Sequence, residues 1–149
     1  MEWNNRWAPL PWLLVDADLA WTHGRFRGGD PATTFIPNSV DRVASLGLSA
    51  QALGPWSASL HWRLLGAGPL TEDNSQRSPQ VLTSNLRIGR SLGRSTSLTL
   101  DVFNLTNRRV NDIEYAYASQ LKTEAQPVSD RHVHPAEPRS LRLTLKQDL

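Results

Sequence analysis

Apolar residues along this chain recur at every second position, and they do so in six separate segments. Successive side chains of a strand point to opposite faces, so this period predicts strands with one apolar and one polar face each. The first segment sets Val15, Ala17, Leu19 and Trp21 against Asp16, Asp18, Ala20 and Thr22. The second sets Ala44, Leu46, Leu48 and Ala50 against Ser45, Gly47, Ser49 and Gln51. The third is the most regular, with Trp56, Ala58, Leu60, Trp62 and Leu64 opposed to Ser57, Ser59, His61 and Arg63. In the fourth, Leu82, Leu86 and Ile88 oppose Thr83, Asn85, Arg87 and Gly89. The fifth has Leu98, Leu100 and Val102 against Thr99 and Asp101, with Phe103 falling on the polar side. The sixth has Leu141, Leu143, Leu145 and Leu149 against Arg142, Thr144 and Lys146.

The connections alternate between long and short. Residues 25–41, 66–79 and 106–138 are long and polar, whereas LGP at 53–55 and GRS at 93–95 supply the glycine and proline of sharp reversals. Outer-membrane barrels carry short turns at the periplasmic rim and longer loops outside. Counting back from the C-terminal strand, all three long connections fall on one end and both tight turns on the other. The fold class expected is therefore all-β: an antiparallel meander of about six strands with long loops on one end and tight turns on the other, part of a transmembrane β-barrel. On that reading Asp16, Asp18, His61, Arg63, Asn85, Arg87, Asp101 and Arg142 face the lumen. Leu19, Trp21, Trp56, Leu60, Trp62, Leu86, Leu100, Leu141, Leu143 and Leu145 face lipid.

Composition narrows the class without changing it. The 149 residues have the length of one domain, and a hydrophobic content of 39% is low for a helical membrane protein. No apolar run approaches the roughly 20 residues of a spanning helix, so any crossing would be made by strands. Six tryptophans suit positions with one edge greasy and the other wet, although an ordinary β core would also use them. A formal charge of +2, with arginines mostly scattered singly, predicts no nucleic-acid surface. The chain has no cysteine, which removes disulfides and thiolate metal sites. Its first residues lack the basic, apolar and small-residue zones of a secretory signal.

Candidate chemistry is sparse. His132 and His134 in RHVHP are two apart, a spacing compatible with joint metal ligation, and Asp130 and Glu137 lie near. No further HxH or HExxH element supports them, so a solvated loop is the expected reading and no metal or cofactor is assigned. GRFRGGD lacks the Lys-Ser/Thr of a phosphate loop, and no nucleophile elbow or acid–base carboxylate pair occurs. No enzyme is expected. Phe35, Tyr115 and Tyr117 are loop aromatics that either touch a ligand at a barrel mouth or pack on neighbouring loops.

The strand LTLDVFNLTNRR, the loop VNDIEYAYASQL, the closing DRHVHPAEPRSLRLTL and the entry FIPNSVDRVASLGL together resemble the C-terminal end of a TonB-dependent outer-membrane receptor. That family's penultimate strand typically ends in Asn-Leu-Phe-Asn or Asn-Leu-Phe-Asp; this chain has Asn104, Leu105, Thr106 and Asn107, with threonine for the aromatic. It also ends in Leu149 where such barrels usually end in an aromatic. The resemblance implies a piece of a 22-stranded barrel, with EWNNRWAPLPW as the tail of a preceding strand and its turn. It implies residence in the outer membrane of a Gram-negative bacterium, in contact with lipid, the rest of the barrel and a plug, and with the TonB complex only through that plug. The implied role is to supply wall and extracellular loops for energised uptake of a ligand such as a ferric siderophore. Plug, TonB box and signal peptide are not found in residues 1–149, so the expectation is a C-terminal fragment that does not transport alone. The rival is a soluble or periplasmic small β-barrel that turns the same leucines and tryptophans inward around an apolar ligand.

Overall fold

The computed structural model describes residues 1–148 and contains strands, turns and loops; Leu149, assigned above to the apolar face, lies outside them. Seven strands form the main sheet: β1 (Glu2–Leu10), β2 (Leu13–Trp21), β3 (Arg42–Leu53), β4 (Trp56–Leu65), β7 (Val81–Ser91), β8 (Thr96–Phe103) and β11 (Ser140–Gln147). They pair in chain order, and every pairing is antiparallel. Alternate strands therefore share a direction, and the two edge strands, β1 and β11, run the same way.

Two small hairpins fill the long connections. β5 (Gly68–Pro69) with β6 (Arg77–Ser78) lies between β4 and β7, and β9 (Asn111–Ser119) with β10 (Val128–Pro135) lies between β8 and β11. The tight reversals at Pro11–Trp12, at Gly54–Pro55 and between Ser91 and Thr96 occupy the opposite end. Gly54 has a φ of 65°, the positive value that a first turn position of this kind demands and that a glycine adopts without strain.

Two expectations need correction. The segment after Met1, expected as the end of a preceding strand with its turn, contributes nine paired residues as β1, so the meander has seven strands where about six were expected. Asn5 occupies an apolar-parity position there and Pro9 cannot donate to a ladder, so the alternation is blurred although the backbone pairing with β2 holds as far as Trp7. The connection after β8 is likewise no plain polar loop. Its β9–β10 ladder runs from Ile113–His134 to Ser119–Val128, without the clean apolar and polar parities that marked the other strands.

The register fixes the faces, because residues directly opposed across an antiparallel ladder share one. On one face the rows read Trp3–Leu19–Ala44–Leu64–Leu82, then Trp7–Val15–Leu48–Leu60–Leu86–Val102–Leu141, then Leu10–Leu13–Ala50–Ala58–Ile88–Leu100–Leu143. Much of this face is uncovered: Leu141 is 70% exposed and Leu145 65%. The most tightly enclosed apolar residues sit in the loop end instead. Pro69 is fully buried and Leu70 is 3% exposed, beside the backbone of residues 38–39 and 76.

Candidate functional site: the polar face and the loop cap

All eight polar residues singled out from the sequence lie on the second face, in three adjacent rows. The first joins Asn4, Asp18, Ser45, Arg63 and Thr83. Here the Ser45 hydroxyl donates to Asp18 Oδ2 at 2.7 Å. The second joins Arg6, Asp16, Gly47, His61 and Asn85, with an Arg6–Asp16 ion pair at 3.4 Å. The His61 ring lies over Gly47 so closely that a Cβ there would be 2.9 Å from His61 Cε1. Glycine is what leaves room for the imidazole.

The third row joins Ser49, Ser59, Arg87, Asp101 and Arg142 and holds the densest charge. Arg87 Nε donates to Asp101 Oδ1 at 2.6 Å, and an Arg142 terminal nitrogen lies 3.3 Å from Oδ2. Asp101 is 5% exposed, yet the side chains of both arginines remain more than half exposed. The carboxylate is thus enclosed by its two partners, and one positive charge is left over for the space above the face. Arg142 also stacks over Phe103 at 5.0 Å, which gives that off-pattern aromatic on the polar side a partner.

The NLTN element is structural at its core. Asn104 and Asn107 adopt φ of 47° and 51°, a left-handed conformation that asparagine tolerates better than other side chains. The Asn104 amide nitrogen donates to the carbonyls of Arg108 and Glu137, and its Oδ1 accepts from the Arg108 amide at 3.0 Å. Asn107 Oδ1 accepts from the Arg139 amide. Both ends of the long connection are thereby tied together at the sheet. The replaced aromatic, now Thr106, takes no part in these bonds.

The three long connections meet above the sheet. The Phe35 amide donates to Glu72 O, Asn38 to Pro69 O, and Arg131 reaches Arg77 O at 3.0 Å. Arg25 stacks over Phe35 at 3.9 Å, so Phe35 packs within the loops. Glu114 is buried at 6% exposure beneath the β9–β10 hairpin, where Asn111 donates to it at 2.7 Å and Arg131 lies 3.3 Å away. Asp73 accepts hydrogen bonds that hold its carboxyl down to about 2, led by that from the Thr71 hydroxyl and followed by those from the Ser75 amide and hydroxyl.

His132 and His134 lie on one face of β10, as their spacing requires, but they do not converge on a third ligand. His132 stacks on Tyr117 at 3.9 Å with 15° between the rings, and His134 lies opposite Ile113. No group of three or more His, Asp or Glu residues with metal-holding geometry occurs among the described residues. Sequence reasoning left three arginines of the main sheet unassigned: Arg6 on the polar face, and Arg42 and Arg90, which stand on the apolar face directly opposite Trp21 and Trp56. Their parity was the available signal.

No protein-family model matches the chain, and no curated protein does. Solved structures match along nearly its whole length. The ferric yersiniabactin uptake receptor FyuA from Yersinia pestis is 17% identical with a TM-score of 0.76, over 99% of this chain and 23% of that one. The closed form of the ferric-catecholate import receptor Fiu from E. coli K12 is 19% identical with a TM-score of 0.74, over 98% and 20%. The siderophore receptor PiuA from Acinetobacter baumannii is 12% identical with a TM-score of 0.68, over 97% and 20%. The chain thus spans about a fifth of the length of the receptors it matches. At these identities the likeness is one of fold: the seven-stranded sheet with its loop cap is built as a stretch of the same β-barrel wall.

Proposed function

We propose that this chain is the C-terminal part of the barrel of a TonB-dependent outer-membrane receptor, where it supplies wall and extracellular loops for energised import of a scarce ligand such as a ferric siderophore. The observation that carries this reading is the two-faced sheet. Three rows of one face are apolar from end to end and the leucines of β11 on it are uncovered, while the other face carries bridged charges and the loops gather at a single end. In that setting the apolar set faces lipid, and Asp16, Asp18, His61, Arg63, Asn85, Arg87, Asp101 and Arg142 face a wet lumen. The plug, the remaining strands and the TonB complex acting through the plug are the partners, and the chain has no reaction to catalyse.

Strand parity supports a partner other than a second copy. Because β1 and β11 run the same way, copies arranged around a common barrel axis would meet in parallel seams. Antiparallel closure takes an odd number of further strands, which a stretch of another sequence can supply. The soluble-barrel rival is weakened by the same geometry, since β1 and β11 do not pair and the leucines of β11 are not enclosed.

The lack of cysteine makes the test clean. Single Thr123→Cys and Ser95→Cys variants, one in the loop cap and one in a tight turn, are expressed behind a secretion leader in a Gram-negative host. The chain is expected in the outer-membrane fraction, with only the loop cysteine labelled by an impermeant maleimide on intact cells. Recovery as a soluble monomer, or equal labelling of both sites, would overturn the proposal.

A further inference from the structure

Both ends of the apolar face carry the same device, a tryptophan directly opposite an arginine. At the loop end Trp21 on β2 pairs with Arg42 on β3, and at the turn end Trp56 on β4 pairs with Arg90 on β7. The Arg90 guanidinium lies over the Trp56 ring at 4.8 Å. All four positions share the parity of the exposed leucines rather than that of the polar face. Among the described residues neither arginine is ion-paired, in contrast to Arg87 and Arg142 on the other side.

The spacing gives the pairs a meaning. Arg42 lies beside Gly66, whose amide donates to its carbonyl, so the two rows stand about ten strand residues apart, roughly 33 Å of chain. At a tilt of about 40° that is about 25 Å of height measured along β4, comparable to the apolar band of an outer-membrane barrel. A cation on an apolar surface is tolerated where its long stem can carry the charge to water, which is at the edges of that band. There it meets the phosphates of the headgroups, and a guanidinium fits phosphate with paired, charge-assisted hydrogen bonds. Tryptophan is favoured at the same depth.

We infer that Trp21–Arg42 and Trp56–Arg90 are lipid-headgroup sites, one for each leaflet, in which the guanidinium binds the phosphate of an anionic lipid and the indole seats the pair at the edge of the hydrocarbon. This rests on the membrane reading above. The sites fix the depth of the sheet at two heights, so the barrel wall cannot slide along the bilayer normal without pulling one arginine into hydrocarbon.

The test is flotation of the full chain, refolded from urea, with vesicles of phosphatidylcholine alone or of phosphatidylcholine containing phosphatidylglycerol. The expected result is that the chain floats with both and favours the anionic vesicles. Arg42→Gln and Arg90→Gln should each lower that preference about fivefold, while Arg109→Gln in the loop cap should change it less than about twofold. Arg90→Lys, which keeps the charge, should retain most of the preference and guards against a folding defect in the glutamine variant. Excess inorganic phosphate should not compete. If Arg42→Gln and Arg90→Gln lose no more than Arg109→Gln while flotation on phosphatidylcholine persists, the headgroup sites are overturned and the membrane reading stands. Competition by free phosphate would also overturn the lipid assignment, and failure to float on either vesicle would sink both readings.

Discussion

Leu141 and Leu145 are nearly equally exposed on the same strand, at 70% and 65%, yet they should respond very differently to a charge. Leu145 lies in the row of Leu98, Arg90 and Trp56, at the turn-end edge of the apolar face. Leu141 lies about four strand residues higher, in the row of Val102, Leu86 and Leu60, or about 10 Å above that edge once the strand tilts by about 40°. Half of a band about 25 Å tall is about 12 Å, so Leu141 sits close to the midplane. Arginine on the lipid face costs about 2 to 4 kcal/mol at the midplane and about 0 to 1 near the interface. Leu141→Arg should therefore weaken the folded, vesicle-inserted state by a factor between about 30 and 900, and Leu145→Arg by less than about fivefold. The assay is urea titration of chain refolded into phosphatidylcholine vesicles, followed by tryptophan fluorescence. In a soluble sheet both sites are simply surface, where substitutions stay within about 0.5 kcal/mol. Equal and small costs at the two positions would refute the lipid-facing assignment, and equal large costs would refute the depth argument.

Two further predictions concern the loop end. Asn104→Ala removes three hydrogen bonds and places a Cβ-bearing residue without asparagine's tolerance at a φ of 47°, so it should cost about 3 kcal/mol and open residues 106–138 to proteolysis; Asn104→Gly, which keeps the backbone at ease, should recover about 1 kcal/mol of that. Retention of wild-type protease resistance by the alanine variant would show that the asparagine does not hold the connection. For Asp73 the folded-state pKa is depressed from 3.8 to about 2, so its contribution to the turn is complete above about pH 4 and is lost as the pH falls through about 2. The Ser75 amide resonance should follow that titration and become insensitive to it in Asp73→Asn; a midpoint near 3.8 would contradict the bonding drawn at this turn.

What could be read in the sequence and what could not divides along a physical line. Alternation reports which face a residue shares with its own strand, and wherever side chains kept strict parity, as from Trp56 to Leu64 and from Leu141 to Leu145, the strand was visible. β1 was blurred because Asn5 stands among Trp3 and Trp7, and a backbone ladder forms regardless of that mismatch. β9 and β10 were hidden because Ile113, Tyr115 and Tyr117 alternate with Glu114, Ala116 and Ala118 without a clean polar face, and two strands paired only with each other need no such face. Parity alone identifies the polar residues, but their organisation depends on register, which no single strand encodes. That Asp101 meets Arg87 and Arg142 follows from the offsets of three strands separated by a short turn and a long connection. Arg42 and Arg90 show the same limit from the other side. Read one strand at a time, each is a charge at the end of an apolar pattern and marks only where the strand stops. Placed in register, each faces a tryptophan at one edge of a band about as tall as a hydrocarbon layer, and the apparent end of a strand becomes the boundary between two solvents.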